Sequence, residues 1–430
     1  MKKSYISNPK RNAIKETGKA GWYSYYAGFS TNFVRDVLKY IDLPEGSTIM
    51  DPWNGSGTTT QIVNEMGYIG LGYDINPAMG IIAKARQLKA DVVPSLNSIR
   101  LDILNKSRFY SIPDEEEPFE RWLQKPSAQC IRRIDYAIHQ LLIDEDKYLP
   151  LYEMEMDKIS SLAAFYYVAL FRTARTVLKN FNVSNPTWIK IPRNNEEKTY
   201  VSESVIFDNF SQNISDMIQS IDSLKTITGN RTHLSVIRTA NSVKLPIDAE
   251  SIDGVITSPP YCTRIDYAVA TLPELAVCGI PLDRKFKDFR RSIIGTPTIS
   301  TIRVAPDPEW GAYCQKLLTL VYEHASKASQ TYYYKTYLQY FASIFASILE
   351  INRVLKKQGN CVVVLQDSYY KDIHIDLPRV FEEMSTTVSW RVQNKIDYVK
   401  PQTMAGINQG ALFYRKSGKA TESVLVFKKD

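Results

Sequence analysis

The alternation of apolar runs with helical segments predicts an α/β fold for this chain. The strand-like "STIMD" precedes the helical "TTTQIVNEMG", and "YIGLGYD" precedes "INPAMGIIAKARQL". "LSVIRTA", "SIDGVIT" and "NCVVVLQD" predict further strands. Strands that alternate with helices form parallel sheets covered on both faces. The last two strand candidates, "SWRVQNKIDY" and "ESVLVFKKD", could pair as an antiparallel hairpin.

Two segments interrupt this alternation and suggest a division of the chain. Residues 105–230 contain the helix "SSLAAFYYVALFRTARTVL", which we expect to be amphipathic, and "DEEEPFERWLQ", which we expect to be exposed. We interpret 105–230 as a helical insertion that could recognise a target, and the basic, tyrosine-rich 280–335 as a second insertion. Residues 1–20 are then a flexible basic arm, and 21–104 with 231–430 form the catalytic domain.

Composition adds weaker constraints. The chain has 430 residues, of which 44% are hydrophobic, and its five cysteines and four histidines show no ligand spacing, so we expect neither a disulfide framework nor a metal site. No run has the length of a transmembrane helix, and the basic start has no signal-type apolar region, so we expect a cytoplasmic protein without membrane attachment. A net charge of +7 with 27 tyrosines favours a polyanionic partner.

The turn "DPWNGSGTTT" predicts a site for a nucleoside cofactor. Gly55 and Gly57 allow backbone to approach a ligand closely, and the helix start at Thr58 offers unpaired N–H groups. Asp74 ends the next strand, at about the separation at which dinucleotide-type folds place a carboxylate on ribose hydroxyls. The third glycine of a GxGxxG pattern is replaced by Thr60, and no P-loop sequence is present.

The stretch "TSPPY" ends another predicted strand, where open α/β sheets bind their ligands. Pro259 and Pro260 fix the backbone and remove N–H donors, which leaves carbonyl acceptors suited to an amino group. Ser258 adds a hydroxyl acceptor, and Tyr261 adds a flat face on which a planar ring can stack. The structural alternative is a rigid loop with a packed tyrosine.

Together, "DPWNGSGTT" and "TSPPY" resemble the motifs of the amino-methylating (N4-cytosine/N6-adenine) DNA methyltransferases, which use S-adenosylmethionine. The resemblance covers about half the chain and implies a Rossmann-like fold with a mostly parallel seven-stranded sheet. "YSYYAGFSTNFVRDVL" resembles the family's segment that closes over the methionine moiety, and Asn241 stands where an acidic residue usually meets adenine. The cofactor contacts implied are Phe29, Ser30, Asp51, Trp53, Gly55, Gly57, Thr58, Asp74, Asn76 and Asn241.

The resemblance also implies a chemical mechanism. Hydrogen bonds from the target amino group to Ser258 and to the Pro259 carbonyl would localise the nitrogen lone pair, which then attacks the sulfonium methyl in line. The target base leaves the duplex and stacks on Tyr261. Cys262 is more consistent with a packed thiol than with a nucleophile. A serine before Pro-Pro-Tyr favours cytosine N4, and adenine N6, RNA, or a binding subunit without its own activity stay open as alternatives.

Candidate contacts to double-stranded DNA follow the same motif and the second insertion. Arg264 could contact the target strand or form a local ion pair with Asp266. Arg290, Arg291 and Tyr333 could track phosphates and stack bases, or belong to a solvated face. Restriction–modification and phage defence are natural settings for the family, and because no nuclease motif stands out we expect modification without cleavage.

Overall fold

Seven strands of the described residues form one mixed sheet. The computed structural model describes residues 5–10, 18–23, 28–112, 117–185, 187–222, 235–262, 265–300, 304–400 and 420–430. The strands of the sheet lie in the order β3-β2-β1-β4-β5-β9-β8, and β6 and β7 form a separate hairpin. The strands are β1 Thr48–Asp51, β2 Ile69–Asp74, β3 Val236–Thr239, β4 Ile252–Thr257, β5 Leu355–Gln366, β6 Ser368–Tyr370, β7 Ile373–Ile375, β8 Trp390–Lys400 and β9 Ala420–Lys429.

The pairing of these strands brings distant parts of the chain to one edge. Strands β3, β2, β1, β4 and β5 are parallel, whereas β9 runs antiparallel to β5 and β8. The mostly parallel, Rossmann-like sheet with an antiparallel C-terminal hairpin is therefore confirmed. Because parallel strands end at the same edge, Asp51 of β1, Asp74 of β2 and Thr257 of β4 all lie at the carboxyl edge of the sheet.

Helices cover both faces of the sheet, which explains why the central strands are continuous apolar runs. Val362 and Val364 of β5 lie in a core cluster with Phe33, whereas Val363, on the opposite face, lies in a cluster with Phe341. The α-helices are α1 Thr31–Ile41, α2 Thr58–Glu65, α3 Pro77–Ala85, α4 Leu96–Ser107, α5 Lys125–Leu142, α6 Ser161–Val177, α7 Glu203–Asp222, α8 Tyr267–Ala270, α9 Leu272–Val277, α10 Arg284–Ser292, α11 Ala312–Glu323, α12 Tyr334–Val354 and α13 Leu377–Thr387.

Helices α4 to α7 form a helical block between β2 and β3, and its central helix differs from the sequence expectation. Residues 163–171 of α6 are all buried, because α3, α5, α7 and α9 pack around the helix. The expectation of an amphipathic α6 was therefore wrong for its first half. The expected exposure of the acidic segment was also wrong in part, since Phe119 and Trp122 are fully buried in the same cluster.

Buried ionic contacts join this block to the helix that follows the Ser-Pro-Pro-Tyr corner. The Arg175 guanidinium in α6 donates to both carboxylate oxygens of Glu274 in α9, at 2.6 and 2.8 Å, and the Glu274 side chain is fully buried. Arg132 of α5 donates to the carbonyls of Ala276 and Val277 at the end of α9, at 2.8 and 3.0 Å. The block is thus fixed to α9 by charged hydrogen bonds.

The residues at the end of the predicted N-terminal arm are packed in the structure. Gly18–Trp22 form a 3-10 helix in which Gly18, Ala20 and Trp22 are buried. The Trp22 indole donates to the Met217 carbonyl of α7 at 3.2 Å. Within the part of the chain that the structure describes, no helix is long and apolar enough to cross a membrane.

We expect Arg175→Ala to lower the free energy of unfolding by about 3 kcal/mol, because it leaves the Glu274 carboxylate buried without its charged partner. Arg172 lies on the same helix and pairs with Asp216 at 3.6 Å, with side chains 28% and 44% exposed, so Arg172→Ala is the matched control. It should cost no more than about 1 kcal/mol. Urea unfolding followed by circular dichroism measures both, and equal losses would contradict the assignment of Arg175–Glu274 as the anchor.

Candidate active site

Asp51, the last residue of β1, connects the glycine turn to the Ser-Pro-Pro-Tyr corner. One carboxylate oxygen accepts hydrogen bonds from the Thr257 hydroxyl at 2.5 Å and the Trp53 amide at 3.1 Å, and the other accepts from the Thr59 hydroxyl at 2.7 Å. Thr257 directly precedes Ser258, and Thr59 lies in the first turn of α2. Burial raises the pKa of Asp51 to about 6, although these donors act in the opposite direction.

The glycine turn packs closely against α3. Gly57 has φ of 82°, and a Cβ atom on it would lie 2.6 Å from the Cβ of Ala83, so a larger residue would displace the helix. Gly55, with φ of 48°, donates its amide to the Asp74 carboxylate at 2.8 Å. Thr58 is the first residue of α2 and lies within 3.4 Å of the buried Arg86 guanidinium. The backbone of the turn is therefore held between α3 and Asp74.

Asp74 lies opposite this turn at the end of β2. Its second carboxylate oxygen accepts the amide of Asn76 at 2.9 Å. Burial raises the pKa of Asp74 to about 6, and the two amide donors oppose this shift. A carboxylate offers about four acceptor positions, so two amide bonds leave lone pairs for ribose hydroxyls. The carboxylate position thus fits the role that the sequence pattern predicts for it.

Asn76 and Asn241 flank Asp74. The buried Asn76 side chain caps α3 by accepting from the Ala78 amide, and its amide group donates to the Thr271 hydroxyl at 2.7 Å. Asn76 therefore ties the cofactor half of the edge to the segment after the Ser-Pro-Pro-Tyr corner. Asn241 follows β3, where its side-chain oxygen accepts the Val243 amide at 3.2 Å, and it is partly exposed.

The remaining predicted cofactor residues have clear structural roles. Phe29 is buried, and its ring centroid lies 5.2 Å from that of Phe33. The Ser30 hydroxyl caps α1 by accepting the Phe33 amide at 3.2 Å. Trp53 is partly buried against the cluster that contains Met50 and Tyr73. These positions bring Trp53 to the glycine turn itself, whereas Phe29 and Ser30 lie at the start of α1.

The Ser-Pro-Pro-Tyr corner and the Cys262 that follows it form hydrogen bonds with three other segments. The Ser258 hydroxyl is within reach of the Val364 carbonyl at 3.1 Å and the Tyr261 hydroxyl at 3.2 Å. The Pro260 carbonyl accepts from the Tyr340 hydroxyl at 2.8 Å, so this carbonyl is bonded within the protein. The Cys262 thiol is buried, as expected of a packed side chain, and its carbonyl accepts from Ser368 at 3.2 Å.

Glu422 is a residue of this site that sequence reasoning missed. It lies in β9, is 5% exposed, and accepts from the Tyr261 hydroxyl at 3.3 Å. Burial and the Glu422 carboxylate raise the pKa of the Tyr261 hydroxyl well above its ordinary value, so this group is a neutral donor. The sequence signal is an acidic residue just before the apolar run "VLVF" of β9, which does not indicate its partner.

Three of the predicted nucleic-acid contacts, Arg290, Arg291 and Tyr333, lie in the described residues, and each has a partner. Arg264 lies outside the described residues, and Asp266 forms its ion pair with Arg290. Arg291 bonds to Asp288 of the same helix at 3.0 Å. The Tyr333 ring packs on that of Tyr370 with centroids 4.8 Å apart.

A cavity of about 230 Å³ lies beside the corner. Its lining includes Arg291, Thr296, Gln339, Tyr340 and Cys262. Tyr340 is shared between this lining and the hydrogen bond to Pro260, so the cavity directly adjoins the corner. Within the described residues, no group of three or more His, Cys, Asp or Glu side chains could hold a metal ion.

Sequence comparison finds relatives among type II methyltransferases. M.BsoBI of Geobacillus stearothermophilus is 25% identical over 294 residues, which cover 65% of this chain and 56% of the relative. M.MjaII of Methanocaldococcus jannaschii is 24% identical over 319 residues, covering 57% of this chain and 60% of the relative. M.AvaI of Nostoc sp. is 21% identical over 403 residues, covering 89% and 81%. The matches thus span less than two thirds of the first two relatives' own lengths.

Solved methyltransferase structures align with the chain at low similarity. A geranyl diphosphate methyltransferase in complex with GPP and sinefungin has a TM-score of 0.33 and 8% identity, covering 96% of this chain and 83% of that chain. The rRNA methyltransferase aviRa of Streptomyces viridochromogenes has a TM-score of 0.29 and 10% identity, covering 96% and 95%. No family model matches the chain. In sequence, the chain is therefore similar to type II methyltransferases.

The raised pKa of Asp51 gives a test of its buried position. Because the native carboxyl holds its proton more tightly than the unfolded chain, its contribution to stability falls as pH rises from 3.8 to about 6. The Asp51→Asn side chain does not titrate, so the variant does not lose stability in this way. The difference in free energy of unfolding, variant minus wild type, should therefore rise by up to about 3 kcal/mol between about pH 4 and pH 7. Urea titrations at a series of pH values measure the difference, and a flat or falling difference contradicts the burial.

Proposed function

We propose that this protein is a site-specific DNA methyltransferase that transfers a methyl group from S-adenosylmethionine to an exocyclic amino group, with cytosine N4 as the favoured acceptor. The observation that carries the proposal is the hydrogen bond between Asp51 and Thr257 at 2.5 Å, which holds the glycine turn beside the Ser-Pro-Pro-Tyr corner. The similarity to type II methyltransferases supports the same activity. A role in DNA modification within restriction–modification or defence follows from it.

The carboxyl edge fits S-adenosylmethionine. Asp74 offers acceptors for ribose hydroxyls, and the start of α2 offers N–H groups beside the glycine turn. Asn241 can contribute its amide to the adenine ring, while Trp53, Thr58 and Asn76 shape the same edge. Phe29 and Ser30 are proposed to close over the methionine moiety from the start of α1. When bound, the cofactor supplies an electrophilic methyl group on a positively charged sulfur.

The residues of the corner then act on the amino group of the target base. The Ser258 oxygen and the Pro259 carbonyl accept its two N–H hydrogens, which localises the nitrogen lone pair for attack on carbon. One N–C bond forms as one S–C bond breaks, and the extra proton on nitrogen passes to solvent. No covalent bond to the protein is needed, so the chain contributes positioning and oriented dipoles.

The target base must leave the duplex for this geometry. Tyr261 provides a ring for stacking, and the adjoining cavity of about 230 Å³ provides space beside it. Contacts to the DNA backbone are proposed for Arg264, Arg290 and Arg291, and a stacking contact is proposed for Tyr333; of these residues, Arg291 lines the cavity. Arg290 is held by Asp266, the cap residue of α8, so its position is coupled to the segment after the corner.

The test is to incubate the protein with labelled S-adenosylmethionine and DNA or RNA and to identify the product nucleoside by mass spectrometry. We expect N4-methylcytosine in DNA; N6-methyladenine or a methylated RNA nucleoside would support the alternative acceptors. Cofactor binding without transfer would support a binding subunit and contradict the proposal.

Ser258→Ala should lower the transfer rate by about 100-fold or more, because an oriented group at the reacting nitrogen is lost. Its affinity for the cofactor, measured by calorimetry, should not change. Ser251, at the other end of β4, provides the matched control, since its hydroxyl bonds to the Asp248 carbonyl away from the site. Transfer by Ser258→Ala at the rate of Ser251→Ala would contradict the assignment of Ser258.

A further inference from the structure

A chain of hydrogen bonds leads from the proposed reacting centre to a buried carboxylate. The Ser258 hydroxyl donates to the Tyr261 hydroxyl at 3.2 Å, and the Tyr261 hydroxyl donates to a carboxylate oxygen of Glu422 at 3.3 Å. Glu422 is separated from Tyr261 by 161 positions in sequence and lies in a different strand of the sheet. Its burial keeps water from competing with the tyrosine for this carboxylate.

We propose that Glu422 is a positioning residue for methyl transfer, which fixes the Ser258 oxygen as an acceptor for the target amino group. This inference rests on the proposed function and adds a residue to it. The contact that carries it joins the Glu422 side chain of β9 to the Tyr261 hydroxyl, and both residues are described in the structure.

The direction of the chain follows from the number of hydrogens. The Tyr261 hydroxyl has a single hydrogen, and it donates this hydrogen to a carboxylate oxygen of Glu422. The Tyr261 oxygen can then accept from Ser258, and the other neighbour of Ser258, the Val364 carbonyl at 3.1 Å, is also an acceptor. Either neighbour takes the Ser258 hydrogen. The lone pairs of the Ser258 oxygen therefore remain for the N–H hydrogens of the base.

Without Glu422, the Tyr261 hydrogen could turn toward Ser258. Ser258 would then accept from the tyrosine, and one lone pair would be lost to the substrate. The carboxylate thus sets the polarity of the serine hydroxyl, and it also restrains the ring on which the base stacks. The restraint on the Tyr261 ring is reinforced at Pro260, because the Tyr340 hydroxyl donates to the Pro260 carbonyl at 2.8 Å.

Glu422 itself is held at a defined position. The amide of Thr421 donates to the Asp367 carboxylate at 2.7 Å, and the Asp367 amide donates to the Thr421 carbonyl at 3.0 Å. Glu422 pairs with Gln366 of β5 on one side and Tyr398 of β8 on the other. The Glu422 backbone is therefore held between β5 and β8, at the edge of the sheet where Ser258 lies.

Single-turnover methyl transfer with Tyr261→Phe, Glu422→Gln and the double variant tests this inference. Tyr261→Phe keeps the ring and removes the hydroxyl, and Glu422→Gln keeps the shape and removes the charge. We expect each single variant to lower the transfer rate by about tenfold, because Tyr261→Phe frees the stacking ring from Glu422 and Glu422→Gln also removes the fixed direction of the Tyr261 hydrogen. Cofactor affinity and the KM for DNA should be unchanged. The double variant should be no slower than the slower single variant, because both break the same chain.

Ser423→Ala is the matched control, since Ser423 is the next residue of β9 and its buried hydroxyl donates to Asp397 at 2.6 Å. It should retain the wild-type rate. Wild-type activity in Glu422→Gln or Tyr261→Phe, or rate losses that multiply in the double variant, would overturn the role of Glu422. If Glu422→Gln does not fold, the rate of Tyr261→Phe alone decides in the same way. A wild-type chain without transfer would overturn the proposed function as well, whereas an active wild type with unaffected variants overturns this inference alone.

Discussion

The carboxylate of Asp51 is the interaction on which the arrangement of the site depends. It lies at the end of β1, where it accepts hydrogen bonds from Thr257, Thr59 and the Trp53 amide. These three donors belong to the strand before the catalytic corner, the helix after the glycine turn, and the turn itself. A buried carboxylate requires such donors, because an unpaired charge in the interior is costly. The requirement for donors therefore brings Ser258 next to the glycine turn.

The start of α3 and the helical block support the same geometry from outside the sheet. Asn76 bonds to Thr271, and Arg175 of α6 bonds to the buried Glu274. Both acceptors lie shortly after the Ser-Pro-Pro-Tyr corner, so the chain that follows the corner is restrained. The helices between β2 and β3 thus stabilise the site as well as enlarging the protein. Glu422 of β9 adds a third restraint through its hydrogen bond to the Tyr261 hydroxyl.

Local patterns were sufficient to predict the sheet and the two motifs. The run "NCVVVL" is apolar without alternation because both faces of β5 are covered. The last two strand-like runs follow one another in the sequence and are separated by turn residues, as the strands of a hairpin are. Asp51 and Asp74 could be proposed because strand ends and glycine turns mark the ligand-binding edge of such sheets. These inferences need only residues that are close in sequence.

Contacts between distant segments could not be predicted in this way. Glu422 and Tyr340 reach the corner from β9 and α12, and no spacing in the sequence connects them to Tyr261. The periodicity of α6 was misleading because helices surround its first half, and an apolar face cannot be distinguished when every face is buried. The partner of Asp266 was likewise decided by the packing of α10, which brings Arg290 to it.

The central claim, that Asp51 couples the cofactor turn to the catalytic corner, is tested most directly with Thr257→Val. This change removes the hydroxyl that donates to Asp51 at 2.5 Å and retains a branched side chain. The account predicts that cofactor affinity and the single-turnover transfer rate both fall by about tenfold, as expected for a lost hydrogen bond to a charged group. Thr239→Val, an exposed change at the end of the edge strand β3, should alter neither. Wild-type affinity and rate in Thr257→Val would contradict the coupling.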